Sequence, residues 1–135
     1  MIVILLAALW QAPALTVPMK TIEKGMDSRS DKSQQIAARS ADEWAILWNL
    51  HVGERLRPSV DFAREVVVGV FLGSRPTGGF LIEVVGAREE GGALVVRYRE
   101  TRPPPGSVAA QILTSPYHIV ALPARAGDVR FEKTE

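Results

Sequence analysis

The run Val66-Val67-Val68-Gly69-Val70-Phe71-Leu72 constrains the fold more than any other part of the chain. It is apolar at nearly every position and rich in β-branched residues. A strand with one wet face alternates apolar and polar side chains; one that does not alternate is buried on both faces. The run reads as a strand of the second kind. It therefore predicts a central strand with further layers on either side.

The remaining segments supply those layers. "FLIEVVGA" puts Phe80, Ile82 and Val84 on one face, and "ALVVRYRET" puts Leu94, Val96 and Tyr98 on one face with Arg97 and Arg99 on the other. "LTVPMKTIEKG" suits an edge strand, because Pro18 is tolerated only at an edge. "QQIAAR" follows the polar loop "DSRSDKS" as a second strand, and "YHIVALP" and "DVRFE" flank an "ARAG" turn. "RPPPG" lacks the amides for any ladder and is an extended, polyproline-like connection.

One helix is well marked. In "SADEWAILWNLH", Ser40 stands three residues before Glu43, the capping-box spacing. Ser40 can accept from the amide of Glu43 while the Glu43 carboxylate reaches back to the amide of Ser40. Trp44, Leu47, Trp48 and His51 form one apolar stripe, and Gly53 ends the helix. The tryptophans read as core anchors, with a ligand or glycan platform as the alternative. Asp61 and Phe62 form a capped turn that drops an aromatic ring into the core. The expected fold is α+β and mostly β: an antiparallel sheet of six or seven strands, as a sandwich or open barrel, with one amphipathic helix packed on it.

Composition narrows the function. At 135 residues the chain is one domain able to bury a core of its own. Its net charge of +1 lacks the basic excess of a nucleic-acid binder. Without cysteine there is no disulfide, thiolate metal site, cysteine nucleophile or lipidated cysteine. The opening "MIVILLAALWQAPA" holds an apolar run, Ile2 to Trp10, too short to span a bilayer core that takes about 20 helical residues. With Ala12-Pro13-Ala14 behind it, the run suits a signal peptide over residues 1–14, although no Lys or Arg precedes it. A packed N-terminal strand or a misplaced start is the alternative. A signal implies export, to periplasm, envelope or outside, with no membrane anchor after its removal.

No catalytic or cofactor motif is present. Ser115, His118 and Asp61 could be drawn as a triad, but there is no nucleophile elbow, and His118 shares a strand face with Val120 and Leu122. His51 and His118 are too far apart in sequence to form a known metal motif. No cofactor and no metal are expected.

The loop "LGSRPTGGF" carries more than a turn needs. Pro76, Thr77 and Gly78 satisfy a hairpin closed by a type I turn and a G1 bulge, and Glu89, Glu90 and Gly91 do so for the next hairpin. Arg75 and Gly79 are left over, and a glycine at the start of a strand marks close approach of another backbone or a ligand.

The segments "EW-ILW--H", "P-VDF", "VVV-V-LGSRPTGGF-I-V", "YRET-P-PG" and "Q-LTSPYHIVALP" together resemble the PrcB family, from about Lys20 to Phe131. That family takes its name from an accessory subunit of a secreted bacterial protease complex. The resemblance implies an exported, non-catalytic protein that binds and stabilises a protease. It marks Asp61, Phe62, Arg75, Pro76, Thr77, Gly78, Gly79 and Phe80 as motif positions, with Asp61 and Phe62 serving the fold. Arg75 to Phe80 are then the partner-binding candidates. "RPTGGF" is also similar to the N-P-T-T-G-[FY] loop of chagasin-like cysteine-protease inhibitors, without the asparagine and second threonine. Three readings follow: a protease accessory domain, an inhibitor inserting the same loop into a cleft, and a ligand- or glycan-binding domain built on Trp44 and Trp48.

Overall fold

The computed structural model describes residues 15–53 and 55–135, so the predicted signal at 1–14 lies outside the described residues. Among the described residues eight strands and one helix follow in the order β1 (Leu15–Thr16), β2 (Lys20–Gly25), β3 (Gln34–Ala38), α1 (Ala41–Val52), β4 (Glu65–Phe71), β5 (Leu81–Glu90), β6 (Ala93–Thr101), β7 (Tyr117–Pro123) and β8 (Val129–Thr134). They form two four-stranded sheets, β1-β5-β6-β8 and β2-β7-β4-β3. The first is the outer sheet; the second, the inner sheet, lies between the outer sheet and α1.

The central-strand expectation holds residue by residue. Val66, Val68, Val70 and Leu72 face the outer sheet and meet Ile82, Val84, Leu94, Val96 and Tyr98. Val67 and Phe71 face the other way and pack with Trp44, Leu47, Trp48 and Ile119. One strand thus serves two cores, which is why its sequence does not alternate. The outer sheet does alternate: Arg97 and Arg99 stand on its solvent face and pair with Glu132 and Glu83.

Three expectations about connectivity are corrected. "LTVPMKTIEKG" is two strands, β1 at an edge of the outer sheet and β2 at an edge of the inner one. Pro18, with no amide to donate, stands where the chain changes sheets. The strands are not all antiparallel, because β8 runs parallel to β6 with Leu94 opposite Val129. Both sides of β7 are occupied by β2 and β4, so β8 cannot fold back on it and crosses to the outer sheet. Lastly, β4 and β5 are in different sheets, so the segment between them is a crossover and not a hairpin.

The helix is capped at its start by Ser40, whose Oγ accepts from the Glu43 amide at 3.1 Å. The Glu43 carboxylate reaches one residue further back than expected, accepting from the Arg39 amide at 2.9 Å. Asp61 accepts from the Ala63 amide at 3.1 Å, and Phe62 packs against the helix-side core, as anticipated. The β5–β6 hairpin closes through Gly91 and Gly92, both at positive φ, between Glu90 and Ala93. This two-residue turn replaces the expected G1 bulge; two glycines with positive φ favour the type whose twist matches the strands.

Candidate functional site

Three connections lie at one end of the sandwich. Residues 26–33 join β2 to β3, residues 72–80 carry the chain from the inner sheet to the outer, and residues 102–116 bring it back. Their common position follows from register: Gly25 and Phe71 both face Tyr117, and Leu81 faces Thr101.

The connections are laced together through backbone. Arg75 and Thr114 exchange amide-to-carbonyl bonds of 2.7 and 2.9 Å, and the Gly78 amide donates to Ala110 O at 2.9 Å. Thr114 Oγ1 donates to Thr77 O at 2.9 Å. The Ser74 amide donates to Asp31 O, and the Ser28 amide to Ser115 O. Residues 72–80 are therefore held on both flanks.

The predicted site residues separate by exposure. Pro76 and Gly79 are exposed, Arg75, Thr77 and Phe80 are half-buried, and Gly78 is buried. Phe80 packs against the inter-sheet core while the Arg75 guanidinium lies 5.7 Å from its ring centroid. The expected positive φ belongs to Gly79 (89°) and not to Gly78. A β-carbon on Gly79 would stand 2.8 Å from Pro103 Cβ, so the close approach foreseen there is made by the chain itself. Pro103 to Pro105 begin the return crossing, which turns at Pro104–Ser107 through a 3.0 Å bond from the Ser107 amide to Pro104 O.

Beside the loop end lies a buried polar cluster with no motif to announce it. Glu23 on β2 accepts from the Tyr117 hydroxyl at 2.6 Å and pairs with Arg55. His51, fully buried at the end of α1, has Nε2 3.3 Å from Glu23 Oε1 and Nδ1 2.8 Å from Ser28 Oγ. A carboxylate only accepts, so Nε2 carries the proton and Nδ1 accepts from Ser28, whose oxygen in turn accepts from the Ser30 amide. Burial lowers the His51 pKa, against the pull of Glu23. Burial alone would raise Glu23, but its bonds from Tyr117, Arg55 and His51 outweigh that and hold it below the usual range. Among the described residues no buried side-chain nitrogen or oxygen lacks a partner. The cluster ties the end of α1 to β2 and β7, with Ser28 itself buried beneath His51.

The other histidine is equally occupied. The His118 ring sits between the sheets, accepting at Nδ1 from the Val84 amide and meeting Thr21 Oγ1 at Nε2, both at 2.9 Å. It touches neither Ser115 nor Asp61 in a triad. Among the described residues no group of His, Asp and Glu could hold a metal ion. The tryptophan platform is not formed: Trp44 and Trp48 are buried, and their indole N–H groups donate to Pro58 O and Arg55 O. No helix among the described residues is long and apolar enough to cross a membrane.

The family model described as PrcB C-terminal matches residues 66–123, from β4 through β7. The resemblance to the PrcB family is thus borne out over a range that includes both crossings of the loop end. No curated protein and no solved structure matches the chain.

Proposed function

We propose that this PrcB-like chain is an exported, non-catalytic interaction domain that binds and stabilises a secreted or envelope protease through its Arg75–Phe80 loop. The PrcB C-terminal match supports an accessory role in a protease complex and hence a protein partner. The observation that carries the site is the lacing of residues 72–80 to residues 110–114, which fixes the loop while Arg75 and Pro76 reach the surface. A loop fixed before binding loses little conformational entropy on association, which favours a protein interface. Binding groups are commonly carried on loops set by a rigid scaffold.

The test is capture from the host's secreted and envelope fraction with the full chain as bait and Arg75→Ala as the control. Gly79 is a poor control because its φ and Pro103 make it part of the fold. Capture of a protease by the wild type and not by Arg75→Ala supports the proposal. The same proteins on both baits remove the loop from the function. A longer protease half-life in the pair marks an accessory subunit, and lost proteolysis marks the inhibitor reading.

A further inference from the structure

Residues 102–116 carry large apolar side chains into solvent at the loop end. Val108 is wholly exposed, and Leu113 and Ile112 are 78 % and 56 % exposed. They are not on a loose tether. Thr114, next to Leu113, exchanges two backbone bonds with Arg75, and Ala110, two residues from both Val108 and Ile112, accepts from the Gly78 amide. Leu81, which follows Phe80, is also 45 % exposed. Exposed apolar groups gathered in one place mark interaction sites, whereas scattered ones need no explanation.

Charge narrows the partner. Neither crossing contains an aspartate or glutamate, and each contains one arginine, Arg75 and Arg102. On the outer sheet Arg88, Arg97 and Arg99 all pair with carboxylates. Among the described residues, the one hydrogen bond from the Arg75 guanidinium runs to Ser74 O at 3.1 Å. A guanidinium presents a fork that fits a carboxylate in two-point contact.

From these observations we infer that the two crossings form one docking surface for a protein segment with an apolar residue flanked by carboxylates. Val108, Ile112 and Leu113 receive the apolar part, and Arg75 and Arg102 receive the acidic part. The inference rests on the interaction-domain reading and extends it to a second segment and a partner chemistry. A second copy of the chain fits less well, since a two-fold contact through this surface sets against each other two patches whose crossings carry arginines and no carboxylate. An anionic bilayer fits less well too, because two arginines fall short of the basic cluster that such surfaces require.

The test uses the full chain against a library of displayed random peptides. Selected peptides are expected to share a large apolar residue beside aspartate or glutamate. Ile112→Ser/Leu113→Ser weakens their binding at least about tenfold, as for a central apolar anchor, with an unchanged melting temperature. Arg75→Gln weakens it about fivefold at ~0.1 M salt, and the gap narrows at ~1 M, where the screening length falls from about 10 to about 3 Å. Leu113→Ser alone serves if the double variant fails to fold. No enrichment, or selected peptides insensitive to both variants, overturns the inference. So does dependence on Ile112 and Leu113 that appears only in binding to phosphatidylserine vesicles or in self-association. If Arg75→Ala still abolishes protease capture when the peptide selection fails, the interaction-domain reading stands and this extension alone falls.

Discussion

His118 makes the stability of this domain depend on pH in a way that can be calculated and refuted. Its ring is buried between the sheets, and burial, aided by the nearby Lys24 and opposed by Glu83, pushes its pKa from 6.5 to about 4. The Val84 amide needs the lone pair on Nδ1, so a proton there would set two donors face to face and orphan a buried amide. Because the folded value lies below the unfolded one, the unfolded chain takes up the proton first as pH falls. The contribution is complete above pH 6.5 and is lost progressively down to about pH 4. A drop from 6.5 to about 4 is worth roughly 3 kcal/mol. That is a large share of the ~5–15 kcal/mol that holds a typical domain together.

The assay is urea unfolding of the wild type and His118→Gln across this range. Glutamine cannot titrate, and its amide offers an oxygen to Val84 N and an NH₂ to Thr21. The variant has its own cost at neutral pH, but only the change with pH is diagnostic. The wild type is expected to lose about 3 kcal/mol more than the variant between pH 7 and pH 4. His51 and the carboxylates are common to both proteins and cancel in the difference. A stability difference that stays constant from pH 7 to pH 4 refutes the buried neutral ring.

Three further outcomes test the packing. Tyr117→Phe removes the 2.6 Å bond to the Glu23 carboxylate and is expected to cost about 1.5–3 kcal/mol in chemical denaturation, as bonds to charged groups do. Gly79→Ala forces a β-carbon into positive φ and onto Pro103 and should cost at least ~1–2 kcal/mol, whereas Arg75→Ala should stay within about 0.5 kcal/mol; paired melting curves separate them. Trp48→Ala empties the core between α1 and the inner sheet and is expected to cost about 3–5 kcal/mol, read by loss of cooperative unfolding at moderate denaturant.

The elements were legible where one local rule decided them. The unbroken run at Val66–Leu72 required two buried faces, and Ser40 with Glu43 required a helix start. Pairing was less legible, because it is a competition between distant segments. "ARAG" and "RPTGG" both have the chemistry of tight turns, yet each spans two sheets, since the strand before it already has neighbours on both sides. The serines of "DSRSDKS" read as a solvated loop, but Ser28 and Ser30 are buried where they satisfy His51 and each other. Nothing in a polar septapeptide says that a helix 20 residues later will end on top of it. Glu23 was hidden for the same reason, an acid in an edge strand whose partners Tyr117, Arg55 and His51 come from three other segments.

The over-specified loop can be resolved into two sets of demands. A crossover between sheets must turn sharply, and its backbone polar groups must find partners away from any ladder. Gly79, Pro103, Thr114 and the amides of Arg75 and Gly78 meet those demands, so their identity is accounted for by the fold. Phe80 is likewise accounted for by the core it joins. What the fold does not need is the Arg75 guanidinium, the Pro76 ring, and the side chains of Val108, Ile112 and Leu113. Each could be replaced without removing a hydrogen bond between two backbone groups, and the last three leave more than half of their surface in water. Substitution separates the two sets directly. Changes at Gly79 or Thr114 should move the melting temperature, and changes at Arg75, Ile112 or Leu113 should move binding alone. If the second group also shifts the melting temperature by several degrees, those side chains belong to the fold and the loop end has no residues left over for a partner.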